Sequence, residues 1–557
     1  MRFNIVVVFF IILSSFGFAQ QKKSKGDILF FEFSYNQAII EYQKELRESK
    51  LSNTQYLNLA DSYMKIGNYK KASDIYVDIY QKDTTMSQYH FNKMLQSLAK
   101  TSEVEKVKAY LATKEDKLPK ELVENSIFNY ELIATNSNED LDFEIFNISG
   151  NSAKADFSPT FYKDKLLFSS DRPDGSKKVY GPSGEAYINI YESKIDFQGN
   201  VSDPQPFKGI PDTKFHRATP FYSQDLNNIF YVLSNSDGEN LQFSDNGKNA
   251  LSIGMATSQG SFSFILRDPD TSFYYPFYEA ATGRLFFAAD FGDGYGGTDI
   301  YYVYTNDGLI MSSPTNLGPR VNTPGNEIAP FIFENSLYFS SDIFYGLGGM
   351  DIYKSTIHTD NSYSIPINLG PGINSSKDDF GFIIRNNESN GLLGYFSSNR
   401  DGGKGGDDIY GFNVKEKPGL KTLALKGKVV DLTSNNEVSK AQVRLIDKDG
   451  KLVKEIFTDE NGDYNIEIPF QNNITIEATK EKHSIFSVTY QDRELEEIQE
   501  KAFNMGIKFL DDLVEEQENQ TVIKLKKFYF DKGQSIITPE IAQELDKVVD
   551  VMTRFPQ

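Results

Sequence analysis

Few residues in this chain have the types and spacing that chemistry requires. The histidines are His90, His216, His358 and His483, and no two stand at a metal-ligand spacing. There is no cysteine, which excludes disulfides, thiolate metal sites, a cysteine nucleophile and a lipidated N-terminal Cys. Two Asp–Gly loops, at 290–299 and 401–408, carry enough carboxylates to attract a hard cation such as Ca²⁺. The same residues suit a tight turn in which Asp side chains cap backbone N–H groups, and the turn is the expectation here. Asp459, Asn461 and Asp463 alternate as calcium ligands do, but Phe470 stands where that loop needs a bidentate Glu. No Gly-x-Ser-x-Gly elbow or Gly-x-x-x-x-Gly-Lys phosphate loop is present, and no spacing pairs the scattered carboxylates for glycoside hydrolysis. The sequence therefore assigns no catalytic, cofactor-binding or metal residue, implies no cofactor, and predicts a protein that is not an enzyme.

The elements that would position any site come from the patterning. At 557 residues the chain has room for several domains, at about 100–200 residues each. A net charge of −20 repels phosphate backbones and argues against nucleic acid as a partner. Tyr 32 and Phe 44 with Trp 0 make a chain rich in strand-forming aromatics. Arg2, the apolar run 5–13 and the small Ala19 have the layout of a secretory signal peptide over 1–19. No later run reaches the ~20 apolar residues of a spanning helix, so the expectation is an exported protein without a transmembrane helix after cleavage.

Residues 27–135 are helical in pattern. Ala60 and Ala72 allow close helix approach, Gly67 makes a turn, and Tyr63, Tyr69 and Tyr76 fill the seam. Tyr35, Ala38 and Tyr42 repeat the pattern upstream, and Val104, Val107 and Leu111 repeat it more weakly downstream. The spacing resembles tetratricopeptide repeats, which implies an α-solenoid with a concave protein-binding surface.

Over 140–415 a strand phrase recurs five times, marked by Pro159, Pro220, Pro276, Pro330 and Gly381 at steps of 61, 56, 54 and 51 residues. Each copy continues into an aromatic strand, such as Leu337-Tyr338-Phe339-Ser340-Ser341-Asp342. Three copies then add a Gly-Gly-x-Asp-Ile-Tyr phrase ending at Tyr301, Tyr353 and Tyr410. This period predicts a β-propeller and resembles PD40 blades of the TolB-like family. Five blades are preferred; six would need a further unit within 235–270. The phrase Asn-Leu-Gly-Pro at 316–319 and 368–371 has a diverged copy at 147–151, so a strand at 142–149 is expected to complete the last blade and close the ring.

After a linker at 416–419, alternating strands over 421–492 resemble the carboxypeptidase regulatory-like domain, a small non-catalytic β-sandwich. A connector spans 493–518. Residues 519–557 resemble the first strand and helix of an OmpA-like α/β domain, with Pro539 opening the helix and Leu545, Val548, Val549 and Met552 on one face. The residues that bind peptidoglycan in that family would fall beyond Gln557, so none is assigned.

The domain order resembles a Bacteroidetes-type multidomain OmpA family, PorE-like, associated with type IX secretion and gliding. That resemblance implies a periplasmic, outer-membrane-associated scaffold that holds envelope and outer-membrane proteins through its repeats and propeller. It would anchor to peptidoglycan through a complete C-terminal domain. The alternative is a periplasmic sensor or ligand-binding propeller tethered to the wall.

Overall fold

A computed structural model describes residues 24–554, apart from 32–33, 49–50, 83–85, 102–105, 107–108, 111–118, 137–144, 174–178, 181–183, 245–248, 344–345, 359, 388–390, 500, 510–513, 518–519, 531–532 and 534. The signal-peptide segment, Val104, Val107 and Leu111 lie outside the described residues. Among those described, no helix is long and apolar enough to cross a membrane.

Five antiparallel sheets form one ring. Their inner strands are Asp156–Tyr162, Arg217–Ser223, Phe273–Glu279, Glu327–Phe333 and Asp379–Asn387, defining blades 1 to 5. Each inner strand lies beside that of the next blade, and the fifth lies beside the first. Residues 251–257 and 262–266 form the third and outer strands of blade 2, which uses the stretch a sixth blade would have needed. Ile145–Asn147 pairs antiparallel with Asp408–Val414 and supplies the outer strand of blade 5. Chain segments some 260 positions apart thus share one sheet, which closes the ring.

Three asparagines explain the phrase that recurs between blades. Asn151, Asn322 and Asn374 each accept from the backbone N–H of Ile409, Ile300 and Ile352, and each donates to the same residue's carbonyl at 2.8–2.9 Å. One amide side chain thereby satisfies both main-chain groups of a buried residue, as a paired strand would.

The Gly-Gly pairs serve close approach. A Cβ on Gly405 would overlap the Lys154 carbonyl of blade 1, and one on Gly348 would overlap the Lys377 carbonyl of blade 5. The aspartates of the same phrase cap the turn: Gly348 donates to Asp351 at 3.0 Å and Tyr295 to Asp299 at 2.6 Å.

Helices α1 (Lys25–Phe31), α2 (Tyr35–Glu48), α3 (Asn53–Lys65), α4 (Tyr69–Lys82) and α5 (Gln88–Lys100) pack in sequence order. Ala38, Tyr42, Ala60, Tyr63, Ala72 and Tyr76 fill their seams, and a Ser52–Gln55 capping box opens α3. The expected α-solenoid is nevertheless corrected. Among the described residues the structure is mostly β, with 39% strand against 20% helix, the helices are short, and no tetratricopeptide solenoid is shown. A solenoid buries each repeat's apolar face on the next repeat. Here the apolar cluster of Phe91, Met94, Leu95 and Leu98 is continuous with Leu337, Phe339 and Ile343 of blade 4. Lys93 on α5 seals the contact with a 2.5 Å ion pair to Asp342, the two side chains 5% and 4% exposed.

Residues 417–557 belong to a second compact unit. Thr422–Asp431 pairs antiparallel with Asp463–Pro469 and parallel with Met505–Ile507. A second sheet orders Leu452–Phe457, Gln442–Asp447, Asn473–Thr479 and Phe486–Gln491. Between the sheets lie Leu425, Val443, Ile466 and Ile476. The expected OmpA-like βα unit is also corrected: among the described residues Gln520–Ile523 pairs with Val514–Gln517 alone, as a two-stranded antiparallel sheet, and 524–530 carries no strand. Antiparallel pairing across a short connection closes locally, whereas the parallel sheet of an α/β domain needs a crossover and further strands. The helix at Pro539–Arg554 (α8, after α6 at Lys120–Asn136 and α7 at Asp492–Gln499) is present, with Leu545, Val549 and Met552 exposed.

The glycine contacts yield a direct test. Gly405→Ala drives a methyl into a backbone carbonyl and is expected to cost about 3 kcal/mol in urea denaturation. Gly292→Ala, with nothing within 4 Å of its added Cβ, is expected to stay within about 0.5 kcal/mol of wild type.

Candidate functional site

All five inner strands shift register at the same place, and the residue there takes a positive φ: Ser158 54°, Thr219 44°, Tyr275 48°, Ala329 54° and Gly381 67°. Only the last is glycine, so four side chains sit in the left-handed region at a cost of about 1–2 kcal/mol each. These bulges line the axis of the ring around a cavity of about 40 Å³. That is room for water but not for a sugar ring. Ser397 and Ser169 of the preceding blades accept from the N–H groups of Ser158 and Thr219 at 2.9 and 2.8 Å. Thr219 Oγ1 is buried without a hydrogen-bond partner.

At one end of the axis, the residue before each inner strand latches onto the preceding blade. His216 Nδ1 accepts from Ile188 N–H at 3.1 Å, Asn326 Oδ1 from Thr298 at 3.2 Å, and Asp378 Oδ1 from Met350 at 2.9 Å. Ser272 Oγ accepts from Leu251 at 3.2 Å. At the junction of blades 5 and 1 the corresponding residue is Ala155, which has no side-chain acceptor. The fivefold pattern breaks there, and Asp407 occupies the break.

Burial pushes the Asp407 carboxyl up to about 7, reinforced by the charges of Asp378, Asp171, Asp408 and Asp156. Two of these are already committed: Asp156 pairs with Arg172, and Asp408 accepts from the 404–405 loop. Asp171 accepts from Ala155 N–H at 2.8 Å, and burial raises its carboxyl too. Asp378 accepts from Met350 N–H and, at 3.3 Å, from Asn399 Nδ2. Tyr275, a residue of the axial wall, has its phenol raised by burial and by the nearby Asp407 charge. Asp171, Asp378, Asp407 and Tyr275 all remain partly exposed.

Other buried carboxylates are structural. Asp379 binds Arg400 at 2.6 Å, and that guanidinium lies over Phe396 and Tyr410. Glu327 accepts from Thr323 and Ser341 and is raised well above the usual carboxylate range by burial. Burial raises Asp351 to about 7 despite the nearby Lys100.

The residues weighed from sequence do not converge. His90 lies 3.5 Å from Asp61, His216 is packed between Tyr180 and Tyr187 with burial pushing its pKa down to about 4, His358 is exposed, and His483 stacks near Phe509. Asp459 accepts from Asn461 and Asp463 N–H, as a turn cap. Among the described residues no group of three His, Cys, Asp or Glu could hold a metal ion. Asp407, Asp171 and Asp378 were missed because their proximity exists only once the ring closes. Aligning the repeats column by column, and asking which copy lacks a polar residue at the latch, would have pointed to Ala155.

The raised carboxyls predict a pH dependence. Asp351 and Asp407 stay protonated in the fold up to about pH 7 but ionise near 3.8 when unfolded, so their contribution to stability declines as pH rises from about 4 to 7. Asp351→Asn is expected to raise Tm more at pH 8 than at pH 5 relative to wild type; equal shifts at both pH values would contradict the assignment.

No protein-family model matches the chain, and no curated protein matches it. Similar solved structures include an α-L-arabinofuranosidase from Lactobacillus brevis, at 13% identity over 48% of this chain and 94% of that one, TM-score 0.32. The Bacteroides ovatus xyloglucan PUL GH43B gives 13% identity over 66% and 96%, TM-score 0.29. The Bacillus subtilis arabinanase gives 14% identity over 47% and 95%, TM-score 0.30. At these values the likeness assigns no role to any residue of this chain. The expected membership of an OmpA family, PorE-like, is corrected: no family model or curated protein matches the chain, and the similar solved structures are glycoside hydrolases. The non-enzymatic scaffold, its peptidoglycan anchor and its place in secretion machinery are corrected with it. The physical reason is that the recurring phrases encode blade junctions, and a blade junction carries no information about a ligand.

Proposed function

We propose that the acidic end of the propeller axis hydrolyses glycosidic bonds. The observation that carries this reading is the Asp407 carboxyl, which accepts no hydrogen bond among the described residues and is held near pKa 7 beside Asp378 and Asp171. A carboxylic acid still protonated near neutrality beside further carboxylates is the arrangement glycoside hydrolysis uses. Asp407 donates its proton to the glycosidic oxygen as the bond to the anomeric carbon breaks. Asp378, already oriented by two hydrogen bonds, accepts a proton from the attacking water. The faces of Tyr275 and Tyr69 give a sugar ring something to pack on. Because the axial cavity is too small for a ring, the substrate sits at its mouth. The leader expected over 1–19 would place this activity in the periplasm.

The test is turnover of arabinan, xylan and galactan oligosaccharides and aryl glycosides by the purified chain and by Asp407→Asn. The expected result is activity that falls above about pH 7 as Asp407 ionises, and a loss of at least about 100-fold in kcat in the variant. No turnover by wild type across the panel, or equal turnover by both proteins, would overturn the reading.

A further inference from the structure

The helices beside blade 4 bring a second surface to the acidic end. Lys100 Nζ, on the last turn of α5, donates to the Gly346 carbonyl at 2.6 Å, and Gln96 donates to that of Gly349 at 3.2 Å. Tyr69, the first residue of α4, is close enough to Asp378 and Asp351 for their charges to add to burial in raising its phenol. Next to it opens a cleft of about 430 Å³ lined by residues 66–70, Lys100 and Thr101. It is an open depression, wide to solvent, with about ten times the volume of the axial cavity.

The charge of the lining is what singles this cleft out. In a chain of net charge −20, its wall holds two lysines, Lys70 and Lys100, and no carboxylate. Lys70 is tied to Asp74 at 2.7 Å on the solvent side, where the pair is cheaply exchanged for another anion. Burial lowers the pKa of Lys100 against the opposing charges of Asp351 and Asp378, so an incoming anion would meet it in a medium that screens poorly but would share it with those carboxylates. The remaining lining, Ile66, Gly67, Asn68, Tyr69 and Thr101, offers an apolar edge, an aromatic face and amide and hydroxyl groups. A wall of this kind suits a polyhydroxylated ring bearing one oxyanion.

We propose that this cleft is a subsite for an acidic sugar unit, its carboxylate, sulfate or phosphate held by Lys70 and Lys100 and its ring packed on Tyr69. The proposal rests on the glycosidase reading of Asp407: Tyr69 is shared by the cleft and the acidic end, so a chain bound across both would present the next linkage to Asp407.

The test is calorimetric titration of the full chain with a uronic-acid disaccharide, a sulfated disaccharide, the matching neutral disaccharide and inorganic phosphate. Wild type, Lys70→Ala and Lys100→Gln are compared. The expected result is at least tenfold tighter binding of an acidic disaccharide than of the neutral one, weakened at least tenfold by Lys70→Ala and by added salt. Turnover is followed in parallel, so acidic-sugar binding without hydrolysis sinks the hydrolase reading alone and leaves the subsite standing. Because Lys100→Gln also removes a contact to blade 4, its Tm is measured alongside, and Lys70→Ala decides the outcome if that variant unfolds. Preference between the carboxylate and sulfate sugars names the source of the oxyanion. Equal binding of acidic and neutral disaccharides, inorganic phosphate binding as tightly as the acidic sugar, or no effect of Lys70→Ala would each overturn the proposal.

Discussion

The junction between blades is the constraint on which the propeller depends. Four of the third strands begin against the first residue of the next blade's inner strand, where main-chain groups must be satisfied across the seam. The carbonyls of Thr298, Met350, Asp407 and Ile188 accept from Glu327, Asp379, Asp156 and Arg217 at 2.7–2.9 Å. A buried carbonyl or N–H left without a partner costs more than an exchanged hydrogen bond returns, so the seam tolerates little error. The Gly-Gly pairs let the two backbones meet at that distance, the aspartates hold the intervening turn, and the asparagines stand in for a strand where the chain leaves the sheet.

The same constraint gives the axis its character. Five bulged inner strands with left-handed residues line the axis and leave a cavity with room only for water. Titratable side chains gather instead at the axial end, where the latch residues differ from blade to blade. Substituting alanine at one latch removes an acceptor, and the adjoining carboxylate is then shaped by burial and neighbouring charge instead of by a hydrogen bond. A local loss of structural regularity thereby becomes a candidate reactive group.

Much of the propeller's framework can be read in the chain. The Pro markers, the aromatic strands and the Gly-Gly-Asp phrases follow spacing rules that local physics enforces, and the Asn-Leu-Gly-Pro copy at 147–151 lies where the ring needs a strand. Reading the helices as a solenoid went astray for a definable reason. Ala60, Gly67, Ala72 and Tyr76 report only that two helices pack closely, which is equally true when the outer face is buried on a propeller blade. The C-terminal reading failed similarly, since an amphipathic helix after an apolar stretch does not specify which strand pairs with which.

Sequence alone determined the period, the strand and turn chemistry and the absence of cysteine chemistry, because these depend on residues within a few positions of one another. Only the tertiary structure decided that Lys93 meets Asp342, that Lys100 and Tyr69 border one cleft, and that Asp407 lies beside Asp171 and Asp378. Those contacts join segments far apart in the chain, and their energetics come from burial. Desolvation exists only after the chain has closed on itself, so no spacing in the linear sequence can announce which carboxylate will hold its proton.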